Sequence, residues 1–205
     1  MSTEIELKLR IAPHDIDHFK QHPLLKTVSH RVMNLKGTYF DTPESHLRQA
    51  KIALRIREEN GVLIQAVKTA GQSSGGLHQR HEWEYKIKTN SPDLEQIPTE
   101  VRGLLSSYSL DAIFTTEFER TIWLISDEEH NVVEVCLDEG DIYCKDLSTP
   151  ICEVELELKR GDVATLYEIA HTLQSTIHLI PENQSKAARG YQLYYKIAQK
   201  NTDYA

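Results

Sequence analysis

The sequence has few cysteines, a deficit of positive charge and no long apolar run, and each shortage excludes a class of protein. Its three cysteines, Cys136, Cys144 and Cys152, are too few and too irregularly spaced for a disulfide framework or a CxxC zinc site, so we expect reduced thiols in a cytoplasmic protein. The 23 Lys and Arg against 31 Asp and Glu give a formal net charge of −8, which argues against a nucleic-acid partner. No apolar segment approaches a membrane span or a signal peptide, so no membrane partner is expected.

The length and composition fit one folding unit. With 205 residues, of which 40% are hydrophobic, the chain can bury one good core. We predict a single domain over residues 1–200 and a C-terminal tail over 201–205.

Charged and apolar residues alternate near the amino terminus, which predicts a strand with Glu4, Glu6 and Lys8 on one face and aliphatic residues on the other. The same alternation returns over residues 80–88 and 153–159. A single strand of this kind could simply expose its charged face to solvent. Three of them favour a sheet closed around a polar interior, with helices covering its apolar outer side.

The remaining pattern predicts an α+β fold, namely a closed antiparallel β-barrel of about eight strands with flanking helices. Further strands are predicted at residues 38–43, 54–58, 62–68, 114–126, 131–138, 142–145 and 151–159. Helices are predicted at residues 13–26, 92–105, 161–173 and 185–199. The glycine- and serine-rich residues 70–77 are predicted to form a flexible connector, and a turn is predicted at residues 139–140.

By this alternation the predicted interior contains charges of both signs. The acids are Glu4, Glu6, Glu82, Glu84, Glu134, Asp138, Glu153, Glu155 and Glu157, and the bases are Lys8, Arg55, Arg57, Lys68, Arg80, Arg120, Lys186 and Arg189. Crowded carboxylates repel one another unless hard divalent cations lie between them, and oxygen ligands suit Mg²⁺ or Mn²⁺. A triphosphate would satisfy both sets, because metal ions bridge its oxygens to the acids while lysines and arginines bind the remaining oxygens.

Several motifs follow one another along the chain, namely Glu4-x-Glu6-x-Lys8, Tyr39-Phe40-Asp41-Thr42, Leu54-Arg55-Ile56-Arg57 and the segments 75–80, 150–158 and 185–191. Together they resemble the CYTH superfamily, also called the triphosphate tunnel metalloenzymes. The match extends over almost the whole chain and is greatest with the amino-terminal CYTH domain of bacterial inorganic triphosphatases. That bacterial group often carries a helical CHAD domain behind the CYTH domain, and this sequence ends before one.

The resemblance implies a metal-dependent inorganic triphosphatase, which hydrolyses triphosphate to pyrophosphate and phosphate inside a charged tunnel. Two ions, Mg²⁺ or Mn²⁺, would order the substrate and activate a water. By motif position, Glu4 and Glu6 would bind metal together with Glu153 and Glu155 on the opposite wall, and Glu157 is a further candidate ligand. Phosphate-binding residues would be Lys8, Arg55, Arg57, Lys68, Arg80, Arg120, Lys186 and Arg189. Glu4, Glu6, Lys8, Glu153 and Glu155 would be catalytic, with Lys186 and Arg189 as a lid.

Three alternatives remain open from the sequence. The same tunnel could serve a class IV adenylate cyclase or a thiamine or nucleoside triphosphatase, which would need an aromatic ring at its mouth to stack on the organic group. A non-catalytic polyphosphate-binding module would need the cations but not two metal subsites. Some inward acids, namely Glu82, Glu84, Glu134 and Asp138, could serve only to position arginines.

Overall fold

The computed structural model of the protein describes residues 2–69, 71–105 and 108–202. The strands are β1 Ser2–Arg10, β2 His30–Asp41, β3 Ala53–Glu59, β4 Val62–Lys68, β5 Gln72–Ser74, β6 Leu77–Ile87, β7 Asp111–Ser126, β8 Val132–Cys144, β9 Leu147–Arg160 and β10 Ile180–Pro181. The α-helices are α1 Ile16–Lys20, α2 His46–Gln49, α3 Thr99–Leu105, α4 Ala164–Gln174 and α5 Lys186–Thr202. Short 3₁₀ turns lie at Pro13–Asp15 and Leu94–Gln96.

Eight of the strands form a closed antiparallel barrel in the order β1-β9-β8-β7-β2-β3-β4-β6, and the pairing of β1 with β6 completes the ring. The short strands β10 and β5 extend the hydrogen bonding at β1 and β6. The predicted fold is therefore confirmed, including its number of strands and the flanking helices.

The alternation along β1 is also confirmed. Leu7 and Leu9 are 2% and 1% exposed and belong to an apolar cluster on the outer side of the barrel, where Leu166 and Leu173 of α4 cover them. Glu6 and Lys8, on the opposite face, line the interior. Burying this aliphatic layer between barrel and helix removes apolar surface from water, which fixes the direction in which the charged face must point.

Two further apolar clusters cover other parts of the barrel. Tyr191 and Leu193 of α5 pack with Phe114 and Phe118 of β7, and this helix lies against one side of the barrel interior. On another side, Val101 of α3 packs in a cluster with residues of α2, β3 and β4. Among the described residues, no helix is both long and apolar enough to cross a membrane.

The predicted turn at residues 139–140 is wrong, because β8 is one continuous strand. Gly140 lies in the strand, where a Cβ atom would come 2.2 Å from the carbonyl oxygen of Glu117 and 2.5 Å from the Cα of Phe118. This glycine permits close approach of β7 rather than a reversal of the chain. The reversal occurs at Lys145, whose φ is 49°.

The predicted connector at residues 70–77 is instead part of a hairpin, apart from residue 70, which lies outside the described residues. Strand β5 pairs with β6, and Gly75 and Gly76 supply the turn with φ angles of 58° and 84°. Only glycine adopts such angles readily, so the composition that suggested flexibility encodes a tight turn.

Other boundaries differ at the ends of the elements. The strand predicted from residue 38 begins at His30, in a stretch where most side chains are exposed and apolar alternation is weak. The helix predicted over 92–105 is divided, since Pro98 follows the 3₁₀ turn and α3 starts after it. Helix α5 continues to Thr202, and residues 203–205 of the predicted tail lie outside the described residues.

Candidate active site

A cavity of about 570 Å³ occupies the interior of the barrel, and charges of both signs line it. The predicted site residues that line it are Glu4, Glu6, Lys8, Arg55, Arg57, Lys68, Arg80, Arg120, Glu155, Glu157 and Lys186. They come from β1, β3, β4, β6, β7, β9 and α5, so the cavity draws on nearly every wall of the barrel. The rigid sheet holds these side chains at fixed spacing, because each strand is hydrogen-bonded on both sides.

One group of charges centres on Glu4. Its Oε1 lies 2.7 Å from Lys68 Nζ and its Oε2 lies 2.7 Å from Arg80 Nε. Arg80 Nη2 also donates to Glu6 Oε1 at 3.1 Å, which joins the two acids of β1. Burial acts to raise the pKa of Glu4, but Lys68 and Arg80 outweigh burial and hold that pKa well below its usual range.

Lys8 lies among three carboxylates. Its Nζ is 3.7 Å from Glu6 Oε1 and 3.4 Å from Glu153 Oε1, and it also contacts Glu155 Oε1. Burial acts to lower the pKa of this ammonium, yet the charges of Glu155, Glu6 and Glu153 raise it above the usual value. Lys8 is therefore a fixed cation, 1% exposed, at the point where the acids of β1 and β9 converge.

Lys186, from the first turn of α5, enters the same region from the helix side. Its Nζ lies 2.6 Å from Asp138 Oδ2 and 3.0 Å from Glu155 Oε1, and it contacts Glu153. The residue is 7% exposed. Burial acts to lower the pKa of Lys186, but the neighbouring acids, led by Asp138, raise it well above the usual value. Lys186 is thus held by three carboxylates in the wall of the site, and its role as a lid on the terminal phosphate stays a prediction.

Asp138 is one of the four inward acids for which the sequence predicted no role as a metal ligand. Arg120 binds it through two hydrogen bonds, Nε to Oδ1 at 2.7 Å and Nη2 to Oδ2 at 2.6 Å, and also contacts Glu155. Asp138, Glu153 and Glu155 each offer one ligand atom, and these atoms lie within 4.8 Å of one another. All three side chains are buried, and such a set of oxygen donors fits a hard divalent cation.

Arg55 and Arg57 contribute hydrogen-bond donors to the opposite part of the cavity. Both Nε groups are buried, and neither has a hydrogen-bond partner among the described residues. Arg57 also pairs with Glu59 and lies 3.7 Å from Glu84. A buried N–H without an acceptor is costly, so these two groups favour an anionic ligand in the cavity.

Glu157 lies apart from the three-carboxylate group. It pairs with Lys159 at 2.7 Å, and its neighbours in the strand register are Glu6 on β1 and Glu134 on β8. Burial, followed by the charges of Glu4 and Glu134, raises the pKa of Glu157 above the ordinary value, although Lys159 acts against this. A carboxylate in such surroundings gains from an added cation.

One detail of the predicted site is wrong. Glu153 and Glu155 do not lie on the wall opposite Glu4 and Glu6, because β9 is the hydrogen-bonded neighbour of β1 and Lys8 is in register with Glu155. Of the predicted site residues, Glu153 and Arg189 are not among the described residues that line the cavity. The guanidinium of Arg189 donates to Glu153 Oε2 at 3.1 Å and to the carbonyl of Pro150, and its predicted contact with phosphate stays a prediction.

The predicted set of interior charges left out Lys159, although the alternation over residues 153–159 includes it, and also left out Glu59; both residues line the cavity. The alternation that identified Glu157 on β9 and Arg57 on β3 continues by two residues to each of them, so the same pattern was sufficient to find both.

Comparison with known proteins gives a consistent result. The family model described as the CYTH domain matches residues 2–191. An inorganic triphosphatase from Haemophilus influenzae is 38% identical over 202 residues, which cover 94% of this chain and 55% of that protein. The chain therefore spans about half the length of this curated relative. A thiamine-triphosphatase from Macaca fascicularis is 26% identical over 201 residues, covering 90% of this chain and 82% of its own.

Solved structures share the fold. A Hippeastrum protein, described as a candidate adenylyl cyclase with a dominant triphosphatase activity, covers 92% of this chain and 95% of its own with a TM-score of 0.61. The two sequences are 18% identical, so this similarity concerns the barrel alone.

Proposed function

The chain belongs to the CYTH domain family, and from this premise we propose that it is a metal-dependent inorganic triphosphatase, which hydrolyses triphosphate to pyrophosphate and phosphate inside the barrel. The observation that carries the proposal is the cavity of about 570 Å³, which is lined by both cations and carboxylates and is large enough to hold a linear triphosphate with metal ions. The name of the Haemophilus influenzae relative supports the choice of substrate.

The cations would bind the phosphate oxygens. Arg55 and Arg57 offer buried Nε donors from one wall, while Lys8, Arg120 and Lys186 offer charge from the other. Contacts from several sides would hold a triphosphate in one orientation, which lowers the entropic part of the barrier to hydrolysis. Positive charge fixed around the chain would also stabilise the charge that develops on the transferred phosphoryl group.

The carboxylates would bind the metal. Asp138, Glu153 and Glu155 fit one divalent ion, Mg²⁺ or Mn²⁺, and Glu4 and Glu6 with the neighbouring Glu157 support the proposal of a second. When bound, such ions neutralise phosphate charge and lower the pKa of a coordinated water that can attack phosphorus. Lys8, Arg80 and Arg120 would keep the acids oriented, because each of these cations bridges two or more of them.

The aromatic side chains favour inorganic triphosphate over a nucleotide or thiamine derivative. In the described part of the lining, the aromatic residues are Tyr39 and Phe118. The ring of Tyr39 stacks on Phe114 at 4.5 Å, and the ring of Phe118 faces Lys186 Nζ at 5.0 Å and Arg120 at 5.6 Å. Both rings already have protein partners, and Tyr39 and Phe118 are only 5% and 6% exposed, so little ring surface is accessible to an organic base.

The test is phosphate release from triphosphate, ATP and thiamine triphosphate side by side, with Mg²⁺, Mn²⁺, Ca²⁺ or EDTA. We expect kcat/KM for triphosphate to exceed that for ATP by at least about a hundredfold, since an ester in place of the terminal charge removes one or two charge-assisted contacts. We also expect EDTA to abolish activity.

A matched pair of variants ties the activity to the cavity. Arg57→Gln should lower kcat/KM by about ten- to a hundredfold. Arg102→Gln, on α3 outside the cavity, should leave kcat/KM unchanged. A kcat/KM for ATP equal to that for triphosphate would favour a nucleoside triphosphatase, and formation of cyclic AMP would favour an adenylate cyclase. Binding of triphosphate without turnover would favour a non-catalytic polyphosphate-binding module.

A further inference from the structure

A second cavity, of about 340 Å³, lies beside the barrel interior between α2, the β5–β6 hairpin and the start of α5. Its charged and titratable lining consists of Arg48, Lys51, Lys68, Arg80 and His78 together with Tyr191. Among the residues that the structure describes, no Asp or Glu lines it, whereas eight glutamates line the barrel cavity. The two cavities therefore differ in chemistry, because the charged side chains in the described lining of the second are all positive.

The two cations that belong to this cavity alone are Arg48 and Lys51. Neither forms an ion pair within the described part of the chain, and both are exposed. The guanidinium of Arg48 lies over the ring of Tyr191 at 5.4 Å, which limits its freedom to turn away from the cavity. Their positive charge is thus available to a ligand without breaking an existing pair.

Lys51 occupies a backbone position that suits glycine. Helix α2 ends with hydrogen bonds from the N–H of Ile52 to the carbonyl of Leu47 and from the N–H of Lys51 to that of Arg48, which is the Schellman arrangement. Lys51 stands at its left-handed position with a φ of 58°, where a side chain is strained and glycine is preferred. The ammonium group of Lys51 therefore lies at the second cavity at a cost in backbone strain.

The second cavity adjoins the first at Lys68 and Arg80, which line both. We propose that the second cavity is a metal-independent binding site for a phosphate oxyanion, held by Arg48 and Lys51 at the side of the barrel next to Glu4. Lys68 and Arg80 would be shared between this anion and one bound inside the barrel. The absence of carboxylates in the described lining explains why no divalent ion would be needed.

Such an anion could be free orthophosphate or the fourth phosphate of a chain longer than triphosphate. Both present the same oxygens to Arg48 and Lys51, and they differ in whether the occupant is covalently joined to the substrate in the barrel. The second source rests on the proposed triphosphatase function, and the first does not.

The first experiment is calorimetric titration of the whole protein with inorganic phosphate in EDTA. The variant Arg48→Gln/Lys51→Gln should bind phosphate at least about tenfold more weakly than wild type, because it loses at least one charge-assisted contact. The control Lys26→Gln/Lys88→Gln removes the same charge at exposed positions outside both cavities and should bind like wild type. No metal-free binding in wild type, or equal binding by the first variant, would overturn the proposal.

A second variant separates binding from folding. Lys51→Gly relieves the left-handed strain, so its Tm should equal or exceed that of wild type while phosphate binding weakens. Unchanged phosphate binding by Lys51→Gly with a raised Tm would count against the site, because it would leave the lysine without a role there.

The second experiment identifies the source through steady-state hydrolysis of inorganic triphosphate and tetraphosphate with Mg²⁺. If the occupant is a fourth phosphate, Arg48→Gln/Lys51→Gln lowers kcat/KM for tetraphosphate about tenfold and leaves triphosphate unchanged. If it is free phosphate, the variant relieves inhibition by added phosphate. A variant that behaves like wild type in both assays refutes the site. Failure to hydrolyse either chain would refute the triphosphatase proposal instead, and the metal-free titration would still decide on the second cavity.

Discussion

Replacing Lys186 by Met tests whether the buried charges of the barrel act as one network. The ammonium contacts Asp138, Glu153 and Glu155, so the variant leaves three buried carboxylates with one cation fewer. Methionine retains most of the aliphatic packing of the lysine stem, which restricts the change mainly to charge.

The size of the effect follows from the partners that remain. Arg120 still binds Asp138 through two hydrogen bonds, Arg189 still binds Glu153, and Lys8 still contacts Glu155. Breaking a buried ion pair outright costs about 3–5 kcal/mol, so we expect about 3 kcal/mol here, the lower end of that range.

The pH dependence of this deficit follows from Glu155. Burial acts to raise the pKa of Glu155, but Lys186, Lys8 and Arg120 hold it well below the usual value of 4.5. A depressed folded pKa contributes stability above the unfolded pKa, and that stability is lost as pH falls through the folded pKa. Removing Lys186 raises the folded pKa of Glu155 toward its unfolded value, so the variant has less of this stability to lose, and its deficit relative to wild type should shrink when pH falls from about 6 to about 3.

The assay is urea unfolding of wild type and variant across that pH range, with and without Mg²⁺. Because the three carboxylates can bind a divalent ion, Mg²⁺ should stabilise the variant more than wild type. Lys36→Met, which removes an exposed ion pair with Glu117, is the matched control and should change stability little. A deficit below about 1 kcal/mol, or one that is independent of pH, would refute a coupled network.

Three other predictions concern single positions. Gly140→Ala should destabilise the protein by about 1–3 kcal/mol in urea unfolding, since its Cβ would meet the backbone of β7. The control Gly103→Ala on α3 meets no atom within 4 Å and should stabilise the protein by up to about 1 kcal/mol. Equal effects of the two substitutions would contradict a close approach of β7 at Gly140. Glu4→Gln should lower the free energy of unfolding at neutral pH and make it depend less on pH in the acid range. The depressed pKa of Glu4 contributes stability above its unfolded value of about 4.5, and this stability is lost as pH falls further. An acid unfolding transition identical to that of wild type would show that the ionisation of Glu4 does not contribute to it. Tyr191→Phe removes the hydrogen bond from the Tyr191 hydroxyl to Asp41 Oδ2 at 2.6 Å and should lower the Tm, at a cost of about 1.5–3 kcal/mol; a Tm equal to that of wild type would show that the bond adds nothing.

The face of each strand could be predicted from the sequence because it depends on a period of two. Glu4, Glu82 and Glu155 all point inward as that period requires, since the aliphatic residues between them must reach the outer helices. The positions of the turns were harder to predict, because a glycine can mark either a reversal of the chain or a close approach of a neighbouring strand, as Gly140 shows.

The neighbours of each side chain could not be predicted, because they depend on strand order and register. Arg120 meets Asp138 only because β7 pairs with β8 in one register, and β1 meets β9 across a separation of 143 to 151 residues, from Arg10↔Glu153 to Glu6↔Glu157. The direction of Arg189 depends on the rotation of α5 against the barrel, which a single helix sequence does not fix.

The pairing of β1 with β9 also affects the order in which the site can form during folding. Lys8 and Glu153 are 145 residues apart in the chain, and contacts of such long range form late and slow the search for the native topology. Asp138 and Glu153, in contrast, are in register on the consecutive strands β8 and β9, and Arg120 is in register with Asp138 on β7. We therefore expect the carboxylates to be brought together by local strand pairing, with Arg120 as their first cation, before Lys8 reaches them.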